Sequence, residues 1–162
     1  MKIPLAVRAP LATAIPLTVA GVVPWLLLGE TLPRAVPAWR LVFLVPMLAG
    51  LGFGAWSIVL FAVAGRGTLA PIDPPTIFVA RGPYEVTRNP MYVGVALWLV
   101  GLAALTGQRS LAWYALIVIA WFHLFVVLVE EPGLRRRFGT FYEAYVRRVP
   151  RWLGRRRGTH SA

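Results

Sequence analysis

Apolar residues of this chain lie in four long runs that are separated by short polar segments. The runs extend from Leu11 to Leu28, from about Trp39 to Ala64, from Met91 to about Thr106 and from Leu111 to Val129. A helix needs about 20 mainly apolar residues to cross the hydrocarbon core of a bilayer. The pattern therefore predicts an all-α, polytopic membrane protein with about four transmembrane helices, of which the third is marginal in length.

Turn-forming residues show how these runs are connected. Gly107-Gln108-Arg109-Ser110 is a very short connection, so we expect the third and fourth helices to form a tight antiparallel hairpin. The N-terminal run resembles a signal peptide, but it is long and lacks a clear cleavage site, which favours a retained helix. We interpret the chain as a single membrane domain: two helices in 1–64, a loop, hairpin and C-terminal surface helix in 65–152, and a basic tail in 153–162.

Composition and charge agree with a membrane protein. Hydrophobic residues make up 58% of the chain and charged residues 14%, and 17 basic residues against 6 acidic ones give a net charge of +11. The basic residues are nearly all Arg and flank the apolar runs, which favours anionic lipid headgroups over nucleic acid as the partner. Cys is absent, which excludes disulfides and thiol nucleophiles.

The distribution of basic residues predicts the orientation in the membrane. Most of them lie in residues 1–10, in the 65–90 loop and in the C-terminal tail, whereas the opposite side holds only Arg34, Arg40 and Arg109. The positive-inside rule therefore places both termini and the long loop in the cytoplasm. Because Arg over Lys and an Ala, Val, Gly and Leu bias are typical of GC-rich microbial genomes, we expect a prokaryotic cytoplasmic membrane.

Two adjacent acids, Glu130 and Glu131, follow the last apolar run directly. Charges close to membrane depth are costly and commonly functional. Adjacent residues of a helix point about 100° apart, so one acid can face the bundle while the other meets the Arg cluster. The simpler interpretation is that both acids mark the water boundary and pair with Arg135 or Arg137.

The segment before the third run offers a second site for a ligand. Pro90 suits the first turn of a helix, with Asn89 as the N-cap. A helix start has free backbone N–H groups and a positive dipole end, which suit a carboxylate or phosphate. Tyr84 and Tyr92 add aromatic faces for a cation or a heterocycle. The simpler interpretation is a capped membrane helix with an interfacial Tyr.

Beyond the acids, the pattern from Pro132 to Trp152 predicts an amphipathic helix that lies along the membrane surface, with Arg on its other face. Its apolar face is expected to contain Leu134, Phe138, Phe141, Tyr142 and Tyr145.

His123 lies inside the fourth run, and we interpret it as a hydrogen-bonded packing residue that could also touch a substrate. No metal site is predicted, because no second His or suitably spaced acid accompanies it. GxGxxG, P-loop and HExxH motifs are all absent.

Three blocks, taken in order, resemble the isoprenylcysteine carboxyl methyltransferase and phospholipid methyltransferase family of membrane enzymes. The blocks are Gly82-x-Tyr84-x-x-x-Arg88-Asn89-Pro90-x-Tyr92-x-Gly94, then Glu130-Glu131, then Phe138-Gly139-x-x-Tyr142-x-x-Tyr145 with Pro150. The resemblance covers roughly residues 65–152. It implies a methyltransferase that binds S-adenosyl-L-methionine in a cytoplasmic pocket and needs no catalytic nucleophile, with Arg88 and Glu131 in supporting roles. The implied cofactor contacts are Tyr84, Asn89, Pro90, Met91, Tyr92, Glu130 and, by a looser match, Thr76, Ile77, Phe78 and Val79.

Two positions depart from the pattern of the family. Asn89 stands where the family most often has His, and it can still donate and accept hydrogen bonds. Val126 stands where members that act on prenylated cysteine carry an Arg, so a carboxylate acceptor loses its partner. Val126 and His123 are the expected acceptor contacts, and the acceptor is a lipophilic or amphipathic small molecule such as a lipid amine, an isoprenoid or a thiol. A non-enzymatic lipid-binding or assembly module is the alternative, and a small transporter is a weaker third hypothesis.

Overall fold

The computed structural model describes residues 16–29, 36–64 and 80–154, without the side chains of 61–64. Within these ranges every regular element is helical, which confirms the all-α prediction. The beginning of the first apolar run, the loop residues Thr76, Ile77, Phe78 and Val79, and the tail from residue 155 onward lie outside the described residues.

Six helical segments follow one another along the chain. Helix α1 consists of a π-helical turn, Thr18–Val22, and an α-helix, Val23–Leu28. Helix α2 begins as a 3₁₀-helix, Ala38–Phe43, and continues as Leu44–Ala64. A short helix α3 spans Pro83–Val86 and helix α4 spans Pro90–Thr106. Helix α5 spans Arg109–Phe125 with a π-helical turn at Val126–Glu130, and helix α6 spans Glu131–Arg148.

Two of these segments are long and apolar enough to cross a membrane, namely Ala38–Leu60 and the apolar part of Arg109–Arg148. In the most apolar stretch of each helix, only 11% and 17% respectively is buried inside the protein. Most of these side chains therefore face outward, as they do in a lipid environment. Helices α1 and α4 are also apolar but shorter. By length and composition, the structure therefore supports two of the four predicted spans.

Helix α4 packs against α2 through glycines. A Cβ atom built on Gly94 would lie 2.7 Å from the carbonyl oxygen of Gly50 and 2.7 Å from the Cα of Gly54. About two helical turns further along α4, a Cβ atom built on Gly101 would lie 2.9 Å from the Cβ of Met47. The two backbones therefore approach more closely than residues with a Cβ atom at these positions would permit, as is common between membrane helices.

Helices α4 and α5 form the antiparallel hairpin that the short connection predicts. Gly107 adopts a left-handed conformation with φ 72° and ends α4 through its N–H bond to the Ala103 carbonyl. Leu111 then packs against Ala103, and further along the pair Leu99 contacts Ala115. This direction brings the beginning of α4 and the end of α5 to the same end of the bundle.

Helix α6 continues from α5 without a loop and changes direction at Gly139, whose φ of 49° and ψ of −124° are not helical. Tyr142 and Tyr145 are buried together, as the tail pattern predicts. Phe141, however, is 78% exposed and lies outside this buried group, so its place on a face toward the membrane stays a prediction. The bend at Gly139 rotates the second half of the helix relative to the first. One helical periodicity therefore does not describe the apolar positions across the whole of residues 132–152. The helix also ends at Arg148, before the predicted Trp152.

Candidate active site

The centre of the candidate site is a contact between Glu130 and Tyr92. The Tyr92 hydroxyl donates a hydrogen bond of 2.6 Å to Oε1 of Glu130. Glu130 is half-buried at the end of the π-helical turn of α5, and Tyr92 lies in the first turn of α4. The structure thus brings together an acid and a Tyr that the sequence separates by 38 positions.

Aromatic side chains surround this contact. The ring of Tyr92 lies 4.6 Å from that of Phe122, centroid to centroid. Tyr84 is buried, and burial together with the nearby charge of Glu130 raises the pKa of its hydroxyl, which keeps it neutral. Tyr145 donates a hydrogen bond of 2.6 Å to the Tyr84 carbonyl and holds helix α3 against α6. The acid of α5 therefore lies among aromatic surfaces.

Glu131 points away from Glu130 and into a cluster of Arg side chains. Its carboxylate, 3% exposed, lies 3.0 Å from Nη1 of Arg88 and accepts hydrogen bonds of 2.6 and 3.0 Å from Arg151. Arg135 lies farther away, at 3.8 Å. The charge and the hydrogen bond of Glu131 hold the pKa of Arg151 above its ordinary value. The two adjacent acids thus have different surroundings.

The segment after α6 runs beside the loop that precedes α4. The Arg88 N–H donates to the Pro150 carbonyl at 2.9 Å, and the Thr87 hydroxyl donates to the Arg151 carbonyl at 2.9 Å. Thr87 is fully buried. The Pro150 and Arg151 carbonyls are therefore paired within the protein rather than with water alone.

Asn89 occupies the N-cap position of α4, and Pro90 follows it at the first helical position, as predicted. The side chain of Asn89 makes no capping bond, however, and its Nδ2 instead donates to the Arg151 carbonyl at 2.9 Å. The predicted position of Asn89 as the N-cap residue is therefore confirmed, but its side chain makes no capping bond. Met91 follows Pro90 and is half-buried in the first turn.

The two predicted acceptor contacts have different environments. Val126 is only 1% exposed. His123 lies on the surface of α5, and its Nδ1 accepts a hydrogen bond of 3.2 Å from Trp152 Nε1. The predicted hydrogen bond of His123 is thus made to the C-terminal segment rather than to another membrane helix. In the part of the chain that the structure describes, no group of three or more His, Cys, Asp or Glu residues could hold a metal ion.

Two residues of this region were not singled out by the sequence patterns. Arg151 is one of many tail Arg residues and Thr87 is one polar loop residue, so neither type nor spacing distinguishes them. Their contacts depend on a tertiary arrangement that joins positions 64 residues apart.

A depression on the surface of the described residues lies at the other end of the bundle, lined by Trp25, Leu26, Leu28 and Gly29. Leu28 packs there against Ala103 and Leu111, far along α4 and α5 from the paired acids. The depression contains no ionisable side chain and contributes nothing to the site.

Comparison with known proteins gives relatives of two kinds. The chain is 30% identical over 135 residues to the nickel-cobalt-cadmium resistance protein NccN of Alcaligenes xylosoxydans xylosoxydans, covering 72% of this chain and 63% of that protein. It is 37% identical over 79 residues to the cobalt-zinc-cadmium resistance protein CzcN of Cupriavidus metallidurans, covering 48% and 35%. It is 34% identical over 73 residues to protein-S-isoprenylcysteine O-methyltransferase B of Arabidopsis thaliana, covering 44% and 36%.

The chain thus spans less than two thirds of the length of each of these relatives. No solved structure matches it significantly. The sequence model of the phospholipid methyltransferase family matches residues 48–140, which include α4, α5, both acids and the loop before α4. This match and the methyltransferase relative confirm the resemblance, and the chain belongs to the phospholipid methyltransferase family.

Proposed function

We propose that this protein is a membrane methyltransferase that uses S-adenosylmethionine and transfers its methyl group to an apolar or amphipathic acceptor. The observation that carries the proposal is the Glu130 carboxylate, held by the Tyr92 hydroxyl at 2.6 Å beside the beginning of α4. Membership of the family supports methyl transfer in general. The identity of the cofactor and the class of acceptor are the proposed parts.

The residues at this end of the bundle fit the chemistry of the cofactor. S-adenosylmethionine carries a sulfonium cation, an amino acid head group and an adenine. Glu130 supplies a negative charge, and the Tyr92 bond occupies one of its two oxygens, which together can accept about four hydrogen bonds. The beginning of α4 supplies the positive end of a helix dipole for a carboxylate. The residues that would hold the cofactor are Tyr84, Asn89, Pro90, Met91, Tyr92 and Glu130.

When bound, S-adenosylmethionine supplies an electrophilic methyl group on its sulfonium sulfur. The chain then has to align an acceptor with that group and to exclude water, and alignment alone can lower a barrier substantially. Asn89 and Pro90 are buried, and Phe122 covers one side of Tyr92, so part of this region is shielded from water. A dry site favours a transition state in which the sulfonium charge is spread over donor and acceptor.

The surroundings of α5 support an acceptor without a carboxylate. Val126 lies one turn before Glu130 and is covered by other side chains of the protein, so this position offers an acceptor no cation. His123 lies about two turns before Glu130 on the same helix. We propose that an acceptor which enters from the bilayer passes the exposed His123, which is the polar group it meets.

A non-enzymatic membrane module that has kept the fold is the second candidate, and Val126 favours it because the cation expected of a prenylcysteine methyltransferase is replaced. The names of the relatives leave both candidates open, since two are resistance proteins and one is a methyltransferase. Methyl transfer to any lipid or small molecule would exclude the module.

We also propose that the protein crosses the membrane several times with both termini in the cytoplasm, so that the site faces the cytoplasm. The apolar helices and the family support association with a membrane. The Arg-rich tail supports the orientation and contact with anionic lipids.

The proposal is tested by incubating membranes that contain the protein with S-adenosylmethionine labelled in its methyl group and identifying the labelled product. Binding of the cofactor to the purified protein is measured by calorimetry. We expect a labelled lipophilic product and saturable binding. Absence of both from folded protein would contradict the proposal.

The role of Glu130 is tested with Glu130→Gln, which keeps the shape of the side chain and removes its charge. We expect a loss of affinity of about tenfold or more, as charged hydrogen bonds contribute ~1.5–3 kcal/mol. Glu143→Gln is the control, because Glu143 is a half-exposed acid that pairs with Arg135 on α6. Equal affinities of the two variants would remove Glu130 from the site.

A further inference from the structure

Arg151 lies where the segment after α6 passes between the two halves of the candidate site. One half is the end of α5 with its paired acids, and the other is the beginning of α4 with Thr87 and Asn89. The side chain of Arg151 contacts the first half and its backbone carbonyl contacts the second. No motif of the sequence assigned this residue a role.

The side chain is held by Glu131. Arg151 donates from Nε to Oε1 of Glu131 at 2.6 Å and from Nη2 to Oε2 at 3.0 Å, which is a bidentate pair. The Glu131 carboxylate is 3% exposed and the Arg151 side chain 32%. Such planar, two-bond pairs fix an orientation more firmly than a single ion pair does. Glu131 is also the covalent neighbour of Glu130.

The backbone carbonyl of Arg151 accepts two hydrogen bonds of 2.9 Å, one from the Thr87 hydroxyl and one from Asn89 Nδ2. The Thr87 hydroxyl oxygen in turn accepts the N–H of Asn89 at 3.2 Å. Thr87 is fully buried and Asn89 is 9% exposed, so these bonds are protected from water. The position of this one carbonyl therefore determines the conformation of the residues that lead into α4.

We propose that Arg151 is a positioning residue of the S-adenosylmethionine site. Its ion pair with Glu131 anchors its carbonyl against Thr87 and Asn89, and in this way sets the spacing between Glu130 and the beginning of α4. The residue acts through others and is not a catalytic residue. The inference rests on the proposed function and deepens it, because it assigns a role in cofactor affinity to a segment outside the predicted cofactor contacts.

The test compares three variants of the full chain in detergent: Arg151→Met, Arg151→Lys and the control Arg147→Met. Arg147 is an exposed basic residue at the end of α6. For each variant we measure the dissociation constant of S-adenosylmethionine, the thermal unfolding midpoint, and amide hydrogen exchange of the peptide that covers residues 84–92. Arg151→Lys keeps the charge but not the bidentate geometry, so it reports on orientation even if Arg151→Met does not fold.

We expect Arg151→Met to weaken cofactor binding by about tenfold, Arg151→Lys by about threefold and Arg147→Met by less than about twofold, in the range of energies by which contacting residues couple. Exchange at residues 84–92 should accelerate in the two Arg151 variants, because the Arg88 N–H bond to Pro150 is loosened. A lower unfolding midpoint of folded Arg151 variants with unchanged affinity would overturn the inference, since the residue would then be purely structural. If the wild-type protein binds no S-adenosylmethionine, the proposed function fails, and the inference fails with it.

Discussion

Tyr92 and Glu130 join the first turn of α4 to the last residue of α5 through a hydrogen bond of 2.6 Å. The two helices form a hairpin whose connection, Gly107 and Gln108, lies at the opposite end. The bond therefore closes the open end of the hairpin and fixes the direction of the Glu130 side chain.

Replacement of this Tyr hydroxyl tests whether orientation of the acid matters. Tyr92→Phe is expected to weaken S-adenosylmethionine binding by about tenfold, because Glu130 loses a donor whose bond to a charged group contributes ~1.5–3 kcal/mol. The measurement is calorimetric titration of the purified protein. Tyr114→Phe is the control, since its hydroxyl bonds to the Val19 carbonyl between α5 and α1. Similar losses in both variants would show a general effect of losing a Tyr hydroxyl.

The close contact between α2 and α4 predicts that one glycine is intolerant of substitution and another is not. Gly94→Ala should destabilise the protein by about 1–3 kcal/mol, as overpacking does, because its new methyl group meets backbone atoms of Gly50 and Gly54. Gly52→Ala on α2 has nothing within 4 Å and should be neutral or slightly stabilising. Free energies of unfolding in mixed micelles distinguish them, and equal values would show that the helices do not pack as described.

The surroundings of two acids predict different costs of neutralisation. Glu131→Gln leaves the Arg88 side chain, 6% exposed, without its anionic partner, which should lower the free energy of unfolding by about 3–5 kcal/mol. Glu143→Gln removes an exposed pair with Arg135, whose partners are both 45% exposed, and should cost less than about 1 kcal/mol. A smaller cost for Glu131→Gln than for Glu143→Gln would contradict the buried cluster.

The proposed orientation can be tested with single Cys residues, because the chain contains none of its own. Ser110 lies in the first turn of α5, next to the connection with α4, and Thr140 lies on α6, and both positions are exposed. In intact cells a membrane-impermeant maleimide should label Ser110→Cys, whereas Thr140→Cys should react only after the membrane is opened. The reverse pattern would place the paired acids outside the cell.

The helices and their connections were predictable because their signals are local. Apolar runs give the bounds of α2, α4 and α5 to within a few residues, and Pro90 and Gly107 mark the two ends of α4 through their own backbone properties. The separation of Glu130 and Glu131 also follows from the angle between adjacent helical residues.

The remaining features depend on tertiary contacts. Asn89 has the pattern of an N-cap, yet its Nδ2 donates to a carbonyl of the distant segment after α6, and its side-chain oxygen makes no capping bond. Gly139 is compatible with a continuous helix, and only the structure shows that it takes a positive φ and turns Phe141 outward. Arg151 could not be distinguished from the other Arg residues of the tail, because its partners are distant in the sequence and come close to it only in the folded structure.

The contacts of Arg151 with Thr87 and Asn89 span 64 and 62 residues. Arg151 is synthesised after helices α4, α5 and α6, so the loop before α4 can reach its final conformation only when all three helices have been made. A polypeptide interrupted after Arg148 would lack the carbonyl that binds Thr87 and Asn89, and we expect its loop before α4 to be less ordered than in the full chain.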